Sequence, residues 1–204
     1  MGFKVSWIGF QGLDKAAALE QLEFVETGNI DHEQEAPFSL AELPSGWLVI
    51  FANDPGWATP GRVGALSMGG VAVGCQMSEV VMYSAAWGYE GGLPQWSLVH
   101  YRDENKELEV GGVPPVEFSA IRDEATRDQE REGAGVDYIF EVPVALTAAI
   151  CGFRPDRLLP GLQPVFRELS VAGVVPRHRP HAVREKRRNG GLFDSLGKLF
   201  RGGR

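Results

Sequence analysis

The pattern of apolar and polar positions is organised around one short run, Trp47-Leu48-Val49-Ile50-Phe51-Ala52. Turn signals bound it on both sides, with Ser45-Gly46 before it and Asn53-Asp54-Pro55-Gly56 after it. The run has the length of a strand, and β-branched and aromatic residues dominate it. A strand that is apolar on both faces is covered on both sides. We therefore predict an interior strand whose odd-numbered residues face one layer and whose even-numbered residues face the other.

Other segments alternate between apolar and polar residues or are rich in β-formers, and they predict further strands at 3–10, 71–77, 80–89, 96–102, 108–110, 136–140 and 165–169. Capping and periodicity signals predict helices that begin at Asp14, at Thr59-Pro60, at Pro114-Pro115 and at Pro143. The first of these helices is predicted to end at Thr27-Gly28-Asn29, residues 29–45 to form a loop, and 153–176 to form an extended arm. Strands in hairpin order with helices between them predict an α+β fold with a mainly antiparallel sheet.

Charge divides the chain unevenly. The net charge is −7, yet residues 177–204 contain nine of the 20 Lys and Arg residues and two of the 27 acidic ones. The tail is therefore +7 and residues 1–176 are −14. We predict an acidic globular domain over 1–176, a basic flexible linker over 177–190 and an amphipathic tail over 191–204. A nucleic-acid-binding face needs clustered Lys and Arg, so nucleic acid is an unexpected partner for the acidic body.

The sequence also bears on location. No apolar run approaches the ~20 residues that span a bilayer. Residues 1–7 lack the basic region and long apolar stretch of a signal peptide. Cys75 and Cys151 each stand alone among apolar residues, which favours buried thiols in a reducing compartment. We expect a cytoplasmic protein, with peripheral attachment to the inner membrane face as the role open to the tail.

Sequence motifs of catalysis are absent, including G-x-S-x-G, the Walker loop and H-E-x-x-H. We predict no catalytic residue, no metal and no cofactor. A divalent ion could bind Asp31-His32-Glu33-Gln34-Glu35, but a solvated acidic loop is the favoured interpretation. His178 and His181 lie among arginines and prolines, which disfavours a cation site. His100 is expected on the same strand face as Trp96 and Leu98, as a hydrogen-bonded core histidine or, less favoured, a general base.

An aromatic groove is the alternative functional site. Its candidate residues are Asn53, Asp54, Trp57, Trp87, Tyr89 and His100. Such a groove would suit a small enzyme or a ligand-binding domain. The competing interpretation is that Asn53-Asp54-Pro55-Gly56 is ordinary turn chemistry and that the aromatic residues belong to the core.

The tail has a helical pattern. Its apolar residues share one face of a helix and are Leu192, Phe193, Leu196, Leu199 and Phe200. Asp194, Ser195, Lys198 and Arg201 occupy the rest of the helix, and the linker before it carries Arg184, Lys186, Arg187 and Arg188. A helix of about eleven residues is not stable alone in water. The stripe therefore needs a surface, which could be the body, a partner groove or an anionic lipid interface.

Two resemblances follow from these residues. Residues 190–203 resemble the C-terminal membrane-targeting tails of bacterial cell-division ATPases of the MinD type, which implies membrane docking and no catalytic residue. Asp194 departs from the basic polar face of those tails. The body resembles small uncharacterised bacterial domains through Gly46-Trp47, Ala52-Asn53-Asp54 and Ser84–Gly88. That second likeness implies no activity.

Together these features favour a non-enzymatic binding or adaptor protein. Its acidic body would engage a protein partner and its tail would dock on a surface. An immunity-type protein that neutralises a basic partner is one form of this hypothesis.

Overall fold

The computed structural model describes residues 2–101, 108–156 and 164–173. Its strands are β1 (Lys4–Gln11), β2 (Phe24–Ile30), β3 (Phe38–Glu42), β4 (Leu48–Ala52), β5 (Val71–Ser78), β6 (Tyr83–Glu90), β7 (Leu93–Tyr101), β8 (Leu108–Gly112) and β9 (Arg167–Val171). Its helices are α1 (Lys15–Gln21), α2 (Pro60–Leu66), α3 (Glu117–Glu132) and α4 (Glu141–Cys151), and a 3-10 turn covers Gly133–Gly135.

Within the described residues the strands form one sheet in the order β2-β9-β3-β4-β1-β5-β6-β7-β8, and all neighbouring strands are antiparallel. The predicted α+β class with a mainly antiparallel sheet is confirmed. Strands β5 to β8 are consecutive in the chain, whereas β9 lies between β2 and β3 and joins distant segments.

The predicted interior strand is β4, which lies between β3 and β1. Val49 and Phe51 belong to one buried cluster, and Trp47 packs against the same cluster from just before the strand. Ile50 belongs to the cluster on the other face. The predicted division of odd and even positions between two layers is therefore confirmed.

Helices cover both faces of the sheet. Ala18 of α1 and Val63 of α2 belong to the cluster of Ile50, so we call that side the α1/α2 face. Phe118 of α3 and Leu146 of α4 belong to the cluster of Phe51, on the α3/α4 face. The end of α4 approaches β1 very closely, because a Cβ atom at Gly9 would lie 2.8 Å from the Cβ atom of Cys151.

Local capping chemistry sets the starts of α1 and α2 and the end of α4 as predicted, whereas α4 begins at Glu141 and not at Pro143. Asp14 Oδ1 accepts hydrogen bonds from the backbone N–H groups of Ala16 and Ala17 at 2.9 and 3.3 Å at the start of α1. Thr59 caps α2, with Pro60 as its first residue. Gly152 ends α4 in the left-handed conformation, with a φ of 78° that favours glycine.

Two strands were not predicted. The helix was expected to continue to residue 26, yet α1 ends at Gln21 and β2 begins at Phe24, so this prediction is wrong. Residues 29–45 were expected to be a loop but contain β3. Strand β2 pairs with β9, and β3 pairs with β4 and β9. Contact with β9, which lies far along the chain, stabilises strands that show little local alternation.

The predicted strand at 136–140 is also wrong. This segment is a turn that leads into α4, in which Asp137 Oδ1 accepts a hydrogen bond from the backbone N–H of Phe140 at 3.3 Å. The strand predicted to begin at Val80 begins instead at Tyr83, after a turn in which Met82 has a positive φ of 49°.

The linker and tail predictions for 177–190 and 191–204 concern residues outside the described ones, so they remain predictions. No helix in the described part of the chain is both long and apolar enough to cross a membrane.

Candidate functional site

The six candidate groove residues do not share one face of the sheet. The pairing of Trp87 with Gly74 places Trp87 on the α1/α2 face, because a Cβ atom at Gly74 would contact Val63 of α2. His100 follows the other parity on β7 and lies with Leu98 on the α3/α4 face. The sheet itself therefore separates Trp87 from His100.

His100 is a buried, hydrogen-bonded residue. Its Nε2 atom lies 3.1 Å from Asp137 Oδ2, and the two side chains are 0% and 6% exposed. Ser84 pairs with His100 across β6 and β7, is fully buried and donates a hydrogen bond to the backbone carbonyl of Phe140 at 2.7 Å. Ser84, His100 and Asp137 have the composition of a hydrolytic triad, but their burial excludes a substrate. They connect the sheet to the turn before α4.

The pair Asn53 and Asp54 forms the turn after β4. Asn53 Nδ2 donates to the carbonyls of Gln34 and Ala36, each at 2.7 Å. Asp54 Oδ1 accepts from the backbone N–H of Gly56 at 2.9 Å, and the Asp54 carbonyl accepts from Ser6 Oγ at 2.6 Å. These contacts are those of ordinary turn chemistry.

Trp57 and Tyr89 contribute mainly to packing on the α1/α2 face. Trp57 is 5% exposed, and the guanidinium of Arg62 lies 5.4 Å from its ring centroid. Tyr89 packs against α2, where a Cβ atom at Gly64 would lie 3.1 Å from the Tyr89 ring. Neither residue connects Trp87 and His100 into one pocket.

The candidate metal loop uses its carboxylate internally. Asp31 accepts hydrogen bonds from the backbone N–H groups of Glu35 and Ala36 at 2.9 and 3.3 Å. Among residues 2–101, 108–156 and 164–173 there is no cluster of His, Cys, Asp and Glu suited to hold a metal ion. His178 and His181 lie outside the described residues.

A different surface stands out on the α1/α2 face, on strands β6, β7 and β8. We call it the open face, and it consists of Tyr83, Trp87, Ser97, Val99, Tyr101, Glu109 and Gly111. Its large side chains are half-buried or exposed, and Tyr101 is 52% exposed. Exposed aromatic side chains grouped on one sheet face are typical of a binding surface. The sequence prediction contained only Trp87 of this set.

The aromatic residues of the open face are held in place by neighbours. The rings of Tyr83 and Tyr101 lie 5.1 Å apart, and the Tyr83 hydroxyl donates to Gln76 Oε1 at 3.2 Å. Gln76 in turn donates to the carbonyl of Ala58 at 3.1 Å. Burial raises the pKa of Tyr83 above its ordinary value of 10.0.

The charge of this part of the sheet is one-sided. Strands β5 to β8 contain no Lys or Arg, whereas Glu90 ends β6 and Glu109 lies exposed on β8. The open face therefore carries negative charge beside aromatic rings.

A second acidic region lies at the opposite end of the sheet. We call it the acidic edge, and its exposed residues are Glu20, Glu23, Glu26, Glu33, Glu35 and Glu42. Lys15 is the only Lys or Arg among residues 14–61, and its Nζ atom lies 3.3 Å from Glu26 and 3.0 Å from Glu42. The hydrogen bond to Glu42 is the main cause of the raised pKa of Lys15. Arg167 of β9, which pairs with Ile30 and Leu40, adds a second cation, yet the six glutamates of the acidic edge still outnumber its cations.

The tail candidates, from Arg184 to Arg201, lie outside the described residues. No protein-family model matches this chain, and no curated protein and no solved structure matches it either. The resemblances to MinD-type tails and to small bacterial domains therefore remain hypotheses, and the open face is the candidate site that the geometry offers.

Proposed function

We propose that this protein is a non-enzymatic binding protein whose acidic body engages a protein partner through the open face. The observation that carries the proposal is the group of partly exposed aromatic residues on β6 and β7. Tyrosine and tryptophan contribute strongly to protein interfaces because each buries a large rigid ring at a low entropic cost. An adaptor or an immunity-type protein needs a surface of this kind to bind its partner.

Charge supports a basic partner. The open face lacks Lys and Arg on its strands, and the acidic edge adds negative potential that would attract a basic protein over a long range. Immunity-type neutralisation of a basic protein is one function that this charge would serve.

The alternative of an enzyme with an aromatic groove has less support. Its general-base candidate, His100, is buried against Asp137, while Trp87 lies on the other side of the sheet. No observation in the described residues favours a reaction at this site.

For the tail, we propose reversible docking on an anionic membrane surface. The support is the sequence pattern of one apolar stripe beside basic residues, which suits an interfacial helix. Docking on a partner groove is the competing role for the same stripe.

The experiment for the body is a quantitative affinity capture from native lysate with the full chain as bait. Trp87→Ser and Tyr101→Ser should lose a protein that the unaltered chain retains, because each removes an aromatic ring from the open face. Val116→Ser is the matched control, since Val116 is 87% exposed at the start of α3 and lies off the open face. Equal capture by all four baits would contradict the proposal.

A further inference from the structure

Between Trp87 and the sheet edge, the residues aligned with Trp87 on neighbouring strands have small side chains. The register aligns Gly74, Trp87, Ser97 and Gly111 across β5, β6, β7 and β8. Adjacent strands lie about 4.8 Å apart, so roughly 10 Å of sheet between Trp87 and the outer strand carries only a serine and a glycine. Ser97 Oγ lies above Gly111 on this face, since a Cβ atom at Gly111 would lie 2.5 Å from Ser97 Oγ. The result is a shallow trough beside a half-buried indole.

One carboxylate borders this trough. Glu109 precedes Gly111 by two residues on β8, which places the two about 6.8 Å apart on the same face of the strand. Glu109 is exposed and forms no ion pair with any described residue. A carboxylate that pairs with no described cation, at the border of a trough that contains an aromatic ring, suits a positively charged side chain.

We propose that the trough binds an arginine or lysine side chain from an extended basic segment of the partner, with its cation over Trp87 and against Glu109. This inference rests on the proposed function and names the chemistry of the partner. An aromatic ring attracts a cation through its quadrupole, and a carboxylate adds a charge-assisted hydrogen bond. Arginine fits better than lysine, because its planar guanidinium stacks on the ring while still donating to the carboxylate.

The sheet edge favours an extended segment. Strand β8 is the last strand of the described sheet, so its outer backbone groups have no neighbouring strand there. A chain that lies along such an edge directs alternate side chains to the same face. One of these side chains can cross Gly111 and Ser97 and reach Trp87. A second copy of this chain fits less well, because two acidic faces repel each other.

The test measures binding of a hexa-arginine peptide to the full-length protein by titration calorimetry, with hexa-citrulline as the matched uncharged peptide. Cross-peaks of the indole N–H groups in a nitrogen-proton NMR spectrum locate the contact, with Trp87→Leu identifying the Trp87 signal. We expect hexa-arginine to shift the Trp87 signal and hexa-citrulline to leave it unchanged. Trp87→Leu and Glu109→Gln should each weaken binding by about two- to fivefold.

Two further variants separate the trough from general attraction to an acidic protein. Ser97→Leu fills the floor but keeps both Trp87 and Glu109, and it should weaken binding of hexa-arginine by a similar factor. Glu42→Gln removes a charge from the acidic edge and should leave the Trp87 shift unchanged. Circular dichroism and thermal melting identify any variant that fails to fold, and the exposed position of Glu109 keeps Glu109→Gln informative in that case.

The outcomes distinguish a failure of this inference from a failure of the proposed function on which it rests. If hexa-arginine binds Glu109→Gln and Ser97→Leu with the affinity of the unaltered chain, the cation site is wrong. The same conclusion follows if hexa-citrulline shifts Trp87 as strongly as hexa-arginine does. In either case, loss of protein capture by Tyr101→Ser would still support the proposed function. Equal capture by every bait, together with a Trp87 shift specific to arginine, would instead overturn the proposed function and leave the cation site.

Discussion

His100 Nε2 and Asp137 Oδ2 lie 3.1 Å apart although the two residues are separated by 37 positions in the chain. The pair joins β7 to the turn that precedes α4. Both side chains are almost completely buried, so the contact takes the place of the hydrogen bonds that water would supply in the unfolded chain. His100 thus contributes to folding, in agreement with the favoured sequence interpretation of a hydrogen-bonded core histidine.

Removing the carboxylate of this pair should destabilise the protein. Asp137→Ala deprives the buried His100 of this contact and also removes the acceptor of the Phe140 backbone N–H. We expect the free energy of unfolding to fall by about 1–3 kcal/mol, measured by urea denaturation. Asp123→Ala is the control, because Asp123 is exposed and forms its ion pair with Arg122 at the surface. An equal loss in both variants would contradict the importance of burial.

The interior position of β4 gives a sharper prediction. Ile50→Asp should abolish soluble folding, because an unpaired buried charge costs several kcal/mol against a total stability of about 5–15 kcal/mol. Ile30→Asp is the matched control, since Ile30 lies 46% exposed on β2 while Ile50 is 0% exposed. Soluble yield and circular dichroism measure the outcome. A well-folded Ile50→Asp protein would refute the assignment of β4 as the centre of two packed layers.

The cysteines should be inert in the folded protein. Burial raises the pKa of Cys151 from 9.0 to about 12, and it raises the pKa of Cys75 as well. The thiolate is the reactive form, so neither thiol should react with Ellman's reagent at pH 8 until the protein is unfolded. Denaturation in guanidinium should then release both thiols of the chain. Fast reaction of one thiol under native conditions would show that its burial is incomplete.

Stability should decline at alkaline pH. The pKa values of Lys15, Tyr83 and both cysteines are raised by folding, through the Glu42 hydrogen bond for Lys15 and through burial for the others. The folded protein therefore holds more protons than the unfolded chain once the pH exceeds the unfolded values, and rising pH favours unfolding. Urea denaturation between about pH 8 and 10.5 should show a falling free energy of unfolding. Tyr83→Phe should make the fall shallower; a level profile for the unaltered chain would contradict the linkage.

The tail prediction concerns lipid binding. The full chain should co-sediment with vesicles rich in phosphatidylglycerol, bind poorly to neutral vesicles and dissociate as salt increases, because the basic cluster contributes about 1 kcal/mol per charge near an anionic surface. Phe193→Asp and Phe200→Asp should each release the protein, since both place a charge in the apolar stripe. Phe3→Asp alters a 40% exposed phenylalanine of the body and should have no effect. Sedimentation that is unchanged in all three variants would exclude docking through the stripe.

Local features of the sequence were sufficient for several parts of this structure. The run at 47–52 predicted β4 and its two faces, because side-chain alternation in a strand has a period of two. Asp14, Thr59 and Gly152 indicated the ends of helices, because capping depends on a few adjacent residues. Trp96, Leu98 and His100 were correctly expected on one strand face.

Tertiary pairing decided the rest. Strand β2 lies at the sheet edge beside β9, and five of its seven residues are exposed, so no hydrophobic alternation indicates it. His100 and Ser84 became partners of the same turn, through Asp137 and Phe140, only through long-range folding. The proposed groove combined Trp87 with His100, yet the register assigns them to opposite faces. Residue types indicate which side chains are suited to bind a ligand, but strand register and layer packing determine which of them meet on one surface.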